Sequence, residues 1–162
     1  MEKNSNTMPD IDHVPDIGFY MDQVITYTEK YMGKVPLTKT MINNYAKDGL
    51  IPAPVKKKYS REHLMMLLLI KCLKQSLPVN RIKDYLVPLA LEVSSGEKGR
   101  LYFLYEEFLN AEKELELLSN KIEKEIRGKS KTDLALPLFY SYVTNYLLEN
   151  AFLEIEDMKE II

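Results

Sequence analysis

The chain has 162 residues, of which 46% are hydrophobic and 28% charged, and its formal net charge is -2. This composition is typical of one globular domain, or of a small domain with a helical extension, and argues against a disordered chain. The single cysteine, Cys72, excludes a disulfide framework within the chain. The longest apolar run, residues 64–70, is far shorter than the roughly 20 residues that span a bilayer, so we expect a cytoplasmic protein with no membrane partner.

Charge is divided unevenly along the chain. Residues 34–83 contain eleven lysines and arginines against two acidic residues, which gives +9, so the remainder carries -11 to reach the total of -2. This asymmetry favours a basic region that meets a polyanion, although a solvated lysine-rich surface would have the same composition.

Helical spacing of apolar residues predicts a first helix, with Asp16 as its N-cap and Gly33 at its end. Thr38 is expected to cap a second helix, which Gly49 ends, and the two faces of this helix differ. Asparagine is a mediocre helix former, so a consecutive pair on an exposed face asks for a reason. Ordinary variation of surface sequence is one explanation, and bidentate pairing of an amide with an adenine edge in the DNA major groove is the other. The polar face consists of Thr40, Asn43, Asn44 and Lys47.

A basic loop follows the second helix. Prolines at positions 52 and 54 favour extended backbone, and we expect a short strand-like excursion over residues 55–59 before Ser60 caps the next helix. Three consecutive lysines in a loop anchored in this way are suited to lie along a phosphate backbone. The candidate DNA-binding residues are therefore Thr38, Lys39, Thr40, Asn43, Asn44, Lys47, Lys56, Lys57, Lys58, Tyr59 and Arg61.

The following helix is apolar almost all round over residues 64–70, which predicts the centre of the core. Pro78 then opens a short helix, and the polar, glycine-containing residues 94–99 are expected to form a hinge. The predicted division is a flexible tail over residues 1–14, a domain over 15–93, and a helical dimerisation or effector region over 94–162.

A heptad pattern follows the expected hinge, with apolar residues at alternating spacings of three and four. This pattern favours a coiled-coil seam in a homodimer, although a long helix packed on its own domain gives much the same spacing. A last helix is expected after residue 132. The predicted dimerisation residues are Leu101, Leu104, Phe108, Ala111, Leu115, Leu118 and Ile122.

The order of these elements resembles the head of MerR-type bacterial transcription regulators. In "INNYAKDGL" and "KKKYS" the MerR motif is matched at Tyr45, Gly49, Leu50, Tyr59 and Ser60, and Lys57 takes the position of the wing arginine. The resemblance implies a mainly α fold: a winged helix-turn-helix head with a short β wing, followed by a long coiled-coil-like helix and a C-terminal helix. It also implies an antiparallel dimer through the long helices.

The chain is also similar to a bacterial family catalogued as a domain of unknown function, through "TKTMINNY", "GLIP" and "KKKYSREHL". It departs from the MerR motif at Asn43, Asn44 and Ala46, which replace an arginine, a tyrosine and a glutamate. These departures keep open an alternative function, a protein-interaction adaptor that uses the acidic helical C-terminal half.

The sequence offers little chemistry for catalysis. His13 and His63 have no cysteine or acidic partner at metal-ligand spacing, and no glycine-rich phosphate loop or serine-nucleophile elbow occurs. We therefore expect neither an enzyme nor a cofactor or metal site. The preferred hypothesis is a homodimeric transcriptional regulator with double-stranded DNA as partner, in which helix 39–48 enters the major groove and the basic wing 55–59 contacts phosphates.

Overall fold

In a computed structural model, residues 8–31, 36–75, 77–129, 138–143 and 145–147 of the chain are described. These residues are mainly helical, which confirms the predicted class. Two compact units are formed, Met1–Glu112 and Lys113–Ile162. In the described part of the first unit, a short 3-10 helix, Ile11–His13, precedes the α-helices. They are α1 (Met21–Glu29), α2 (Lys39–Lys47), α3 (Arg61–Leu73), α4 (Val79–Ser94) and α5 (Gly99–Lys129), which continues into the second unit.

The predicted N-cap of the first helix at Asp16 is wrong. Helix α1 begins only at Met21. The reason is a non-local pairing, since Phe19 and Tyr59 exchange backbone N–H···O=C hydrogen bonds of 2.8 Å in both directions. Extended backbone that pairs in this way cannot belong to the helix. The predicted end of this helix, at residue 33, lies outside the described residues.

The predicted boundaries of α2 are confirmed. The hydroxyl oxygen of Thr38 accepts a hydrogen bond of 3.2 Å from the backbone N–H of Met41, as expected of an N-cap. After the helix, Gly49 has a φ of 76°. This left-handed conformation lets the chain leave the helix, and a glycine adopts it without steric cost.

The expected strand-like excursion is a tight hairpin over residues 55–58. Among the described residues, strand pairing is limited to two isolated bridges, Val55 with Lys58 and Phe19 with Tyr59. The first bridge closes the hairpin, and the second attaches its outgoing end to the segment that precedes α1. We call residues 55–58 the lysine hairpin.

Helix α3 is the centre of the core, as predicted. Each residue from 64 to 70 is at most 1% exposed. The same core contains Val24 from α1, Ile42 from α2 and Leu86 from α4. Helix α4 is longer than the short helix expected from the sequence, because it continues through Pro88 to Ser94.

The start of α5 belongs to the core of the first unit. Leu101, Tyr105 and Leu109, spaced by one helical turn, are 1%, 0% and 6% exposed. The Tyr105 hydroxyl donates a hydrogen bond of 2.9 Å to the carbonyl of Pro9. The core therefore extends across the boundary expected at residue 94 and includes part of the segment expected to be a flexible tail.

Truncation of a buried side chain tests this placement of α5. We expect Leu101→Ala to lower the free energy of unfolding by about 2–5 kcal/mol, because it removes transfer energy and leaves a cavity. Leu91→Ala is the matched control on α4, where the side chain is 67% exposed, and should cost less than about 1 kcal/mol. Urea denaturation measures both values, and equal costs would contradict the placement.

Candidate nucleic-acid interface

Helix α2 presents a polar face to solvent. Ile42 and Tyr45 are buried, with exposures of 0% and 6%. The opposite face is exposed, as the sequence predicted, because the two sets of residues alternate at helical spacing. The exposed polar residues of this face are Thr40, Asn43, Asn44 and Lys47.

The first lysine of α2 is held by a surface ion pair. Lys39 Nζ lies 2.8 Å from Asp22 Oδ1, and the two side chains are 62% and 81% exposed. Exposed pairs of this kind contribute at most about 1 kcal/mol. The ammonium group of Lys39 can therefore exchange its carboxylate partner for another anion at small cost.

The lysine hairpin has the backbone of a type I′ turn. Lys56 and Lys57, its two central residues, have φ angles of 50° and 63°. Val55 and Lys58 exchange backbone hydrogen bonds of 3.1 and 2.9 Å. Asparagine and glycine are the residues that favour this turn, and other residues in left-handed conformations cost about 1–2 kcal/mol each. Both central side chains are exposed.

Lys58 is exposed as well, but unlike Lys56 and Lys57 its side chain contacts two other residues, Gly18 and Tyr20. Its ammonium nitrogen lies 5.5 Å from the centroid of the Tyr20 ring. Its stem covers Gly18 so closely that a Cβ there would lie 2.9 Å from Lys58 Cδ. Lys58 therefore anchors the hairpin, and Lys56 and Lys57 project beyond it.

The N-terminal end of α1 brings α2 and the lysine hairpin together. Tyr20 contacts Lys58 of the hairpin, and Asp22 contacts Lys39 of α2. Tyr20 and Asp22 are two positions apart, so their Cα atoms are at most about 7 Å apart. The two predicted DNA-contacting elements thus meet the same end of one helix.

Two of the predicted site residues lie below this surface. Tyr59 is 3% exposed, and its ring packs edge-on against His63 with centroids 5.4 Å apart. Burial raises the pKa of the Tyr59 hydroxyl. Arg61 is half-buried, and its Nε donates a hydrogen bond of 2.9 Å to the carbonyl of Val14. Tyr59 therefore supports the hairpin from inside, and Arg61 ties the start of α3 to Val14.

His63 closes the loop that carries the hairpin. Its Nδ1 accepts a hydrogen bond of 3.0 Å from the backbone N–H of Ser60. The proton therefore resides on Nε2, which donates to the carbonyl of Pro52 at 3.1 Å. Burial lowers the pKa of this imidazole, against smaller opposing effects of backbone hydrogen bonds and Glu62. The serine-to-histidine spacing of three, as in a capping box, was the signal in the sequence for this contact.

Glu62 is a second buried residue that sequence reasoning missed. Its side chain is 3% exposed and accepts hydrogen bonds from the Ser60 and Tyr102 hydroxyls at 2.5 and 3.1 Å. Lys98 Nζ lies 2.9 Å from the same carboxylate. Burial opposes ionisation, but the hydrogen bonds from Ser60, Lys98 and Tyr102 together outweigh it and lower the pKa of Glu62 to about 2. The carboxylate is therefore charged at neutral pH.

The seven predicted dimerisation residues differ in solvent exposure. Leu101 is buried in the core of the first unit. Phe108 and Ile122 are half-buried. The remaining four are exposed: Leu104, Ala111, Leu115 and Leu118.

Neither a metal site nor a membrane span is found in the part of the chain that the structure describes. No group of three or more histidine, cysteine or acidic side chains there could hold a metal ion. None of the described helices has the length and apolar character needed to cross a bilayer. Burial raises the pKa of the Cys72 thiol to about 11, which suppresses the reactive thiolate.

These features define a small helical domain with an exposed polar helix and a lysine hairpin. The model of a family described as Domain of unknown function (DUF1836) matches residues 9–108. The match covers more than half of the chain, so the chain belongs to this family, as its resemblance in sequence predicted. The matched residues include α2, the lysine hairpin, and both Glu62 and His63 with the partners described above. No curated protein and no solved structure matches the chain.

The buried imidazole predicts a pH dependence of stability. The folded-state pKa of His63 is lowered from 6.5, so the unfolded state binds more protons as the pH falls. Its stabilising contribution is fully present above pH 6.5 and is lost as the pH falls through the lower, folded-state pKa. We expect the free energy of unfolding, from urea titrations, to decrease below about pH 6.5 with a shallower slope in His63→Asn.

His13→Asn is the control for this titration, because the side chain of His13 is exposed. This variant should keep the slope of the wild type. Identical slopes for the wild type and His63→Asn would show that the imidazole does not titrate as proposed.

Proposed function

We propose that this protein is a cytoplasmic DNA-binding transcriptional regulator that acts as a homodimer. Helix α2 enters the major groove, and the lysine hairpin contacts the phosphate backbone. The observation that carries the proposal is the joint exposure of the polar face of α2 and of Lys56 and Lys57, on two elements that meet the same end of α1.

The strained turn supports a function for the two exposed lysines. Lys56 and Lys57 occupy left-handed positions that asparagine and glycine fill more easily. Neither side chain forms an ion pair or hydrogen bond with the described residues that would compensate this cost. Residues in strained conformations concentrate at functional sites. Two ammonium groups at the tip of a rigid turn are suited to contact successive phosphates.

The polar face of α2 supports direct reading of bases. The major groove admits an α-helix. An asparagine amide can pair there with adenine through two hydrogen bonds: its NH₂ group donates to N7, and its oxygen accepts from the N6 amino group. Asn43 and Asn44 are exposed side by side near the middle of the helix. The order α1, α2, hairpin and α3 also agrees with a MerR-like winged helix-turn-helix, in which the hairpin is the wing.

The second unit supports self-association. In the described part of this unit, Leu115, Leu118 and Tyr142 are 58%, 54% and 68% exposed. Leu115 and Leu118, at i and i+3, are neighbours on the surface of α5, and adjoining exposed apolar side chains mark interaction surfaces. A coiled-coil seam on α5 would cover the two leucines. A dimer would present two heads to half-sites separated by about one helical turn of DNA or a multiple of it.

The adaptor alternative depends on the same exposed apolar residues of the second unit. In that function they contact a different protein, and the lysine hairpin serves solubility alone. The adaptor accounts for the acidic C-terminal half, but it gives no reason for two lysines in strained positions. It also requires that the chain binds no preferred duplex.

A substitution that relaxes the turn separates DNA binding from folding. Lys56→Asn/Lys57→Gly installs the preferred type I′ residues, so the free energy of unfolding should rise by about 1 kcal/mol or more. The same change should weaken binding to every duplex. It should also reduce the slope of log K against log salt by about 0.9 for each lost phosphate contact. Fluorescence anisotropy over a salt series measures binding.

Two control variants sharpen this experiment. Lys121→Gln/Lys124→Gln removes the same charge from the exposed surface of α5 and should leave binding unchanged. Asn43→Ala should cost about 1–3 kcal/mol on the preferred duplex alone, because an amide that reads a base contributes specificity. The proposal fails if the turn variant binds with unchanged affinity and salt slope.

Charged substitutions in the seam test the homodimer. Leu115→Glu/Leu118→Glu should convert the dimer to a monomer, because like charges and desolvated carboxylates would face each other across the seam. Leu117→Glu is the matched control, since Leu117 is 65% exposed and lies outside the seam positions. Light scattering after size-exclusion chromatography measures the mass. A wild-type monomer, or equal masses for both variants, would refute the seam.

A further inference from the structure

We propose that Glu62 is a positioning residue for the lysine hairpin, and that its ion pair with Lys98 sets the orientation in which Lys56 and Lys57 meet DNA. This inference rests on the proposed function and names the contact on which the hairpin depends. The supporting observation is that three side chains contact the buried carboxylate of Glu62.

Three side chains from two segments of the chain meet at Glu62: Ser60, which caps the same helix, and Lys98 and Tyr102 at the start of α5. Ser60, directly after the hairpin strand, donates its hydroxyl to Glu62 at 2.5 Å. Tyr102, in the first turn of α5, donates its hydroxyl at 3.1 Å. Lys98, just before α5, places its ammonium group at 2.9 Å. The carboxylate therefore joins the base of the hairpin to the start of α5.

The connection from Glu62 to the lysine tip is short and rigid. Ser60 follows Tyr59, whose backbone is paired with Phe19 and whose ring is buried. Tyr59 in turn follows Lys58, whose ammonium nitrogen lies 5.5 Å from the centroid of the Tyr20 ring. A displacement of Ser60 is thus transmitted to the hairpin through Tyr59, whose paired backbone and buried ring leave it little freedom to move.

The buried carboxylate of Glu62 depends strongly on its hydrogen-bond donors. The Glu62 side chain is 3% exposed, so the carboxylate has lost most of its hydration and depends on the three donors around it. The Lys98 side chain, by contrast, is 51% exposed. The pair can therefore be altered from the lysine side without opening the core.

The experiment compares Glu62→Gln, Lys98→Met and the double variant in the full chain. Anisotropy with a duplex selected by the wild type measures affinity and salt slope. Hydrogen exchange at the backbone amides of Lys58 and Tyr59 measures the order of the hairpin. Each single variant should weaken binding by about tenfold, within the usual range for coupled sites. Both should accelerate exchange at the two amides.

The double variant should bind no more weakly than the weaker single variant, because both substitutions break the same pair. Glu92→Gln is the matched control: it breaks the Glu92–Arg100 pair of 2.7 Å, which joins α4 to the start of α5. This control should leave affinity and hairpin exchange unchanged. Lys98→Met alters an exposed side chain, so the test stays decisive if Glu62→Gln fails to fold.

The outcomes separate this inference from the proposed function. Failure of the wild type to bind any duplex would overturn the proposed function. Wild-type binding together with unchanged affinity or unchanged hairpin exchange in Lys98→Met would overturn the positioning role alone. Additive losses in the double variant, or an equal loss in Glu92→Gln, would also overturn it.

Discussion

The paired backbone of Phe19 and Tyr59 is the constraint on which the basic surface depends. Two hydrogen bonds of 2.8 Å tie the outgoing end of the lysine hairpin to the segment before α1. This pairing delays the start of α1 to Met21. It also places Tyr20 under Lys58 and Asp22 beside Lys39. Without this pairing, the hairpin and α2 would have no common support.

The start of α3 combines core packing with support of the hairpin. Residues 64–70 fill the centre of the domain. Immediately before residue 64, His63 closes the loop between Pro52 and Ser60, and Glu62 joins that loop to Lys98 and Tyr102. Because these contacts lie on the rigid end of the most buried helix, the exposed lysines are displayed from a fixed base. Such preorganisation would lower the entropic cost of the proposed contacts with phosphates.

Local sequence patterns were sufficient to predict part of this arrangement. The spacing in α2 separates its polar face from Ile42 and Tyr45, and the apolar run of α3 has no polar side to expose. The Thr38 cap also follows from residue type and position. Each of these features depends on neighbours within one or two helical turns. Patterns of that range are read directly from a sequence.

The remaining features depend on contacts between distant residues. Tyr102 and Glu62 are 40 positions apart, and no local pattern marks them as partners. The left-handed turn was hidden because its central residues are lysines, not asparagine and glycine. The heptad spacing of α5 was ambiguous for a different reason: packing on the domain and packing on a second chain require the same period. Leu101 shows the first kind of packing.

Selection of genomic DNA fragments by the purified protein at low salt, followed by sequencing, measures whether α2 and the lysine hairpin read a DNA sequence. We expect the retained fragments to share a short motif in two half-sites spaced by about one helical turn or a multiple of it. Retention of no fragment, or retention without any shared motif, would contradict the account of α2 and the lysine hairpin as a reader of DNA sequence.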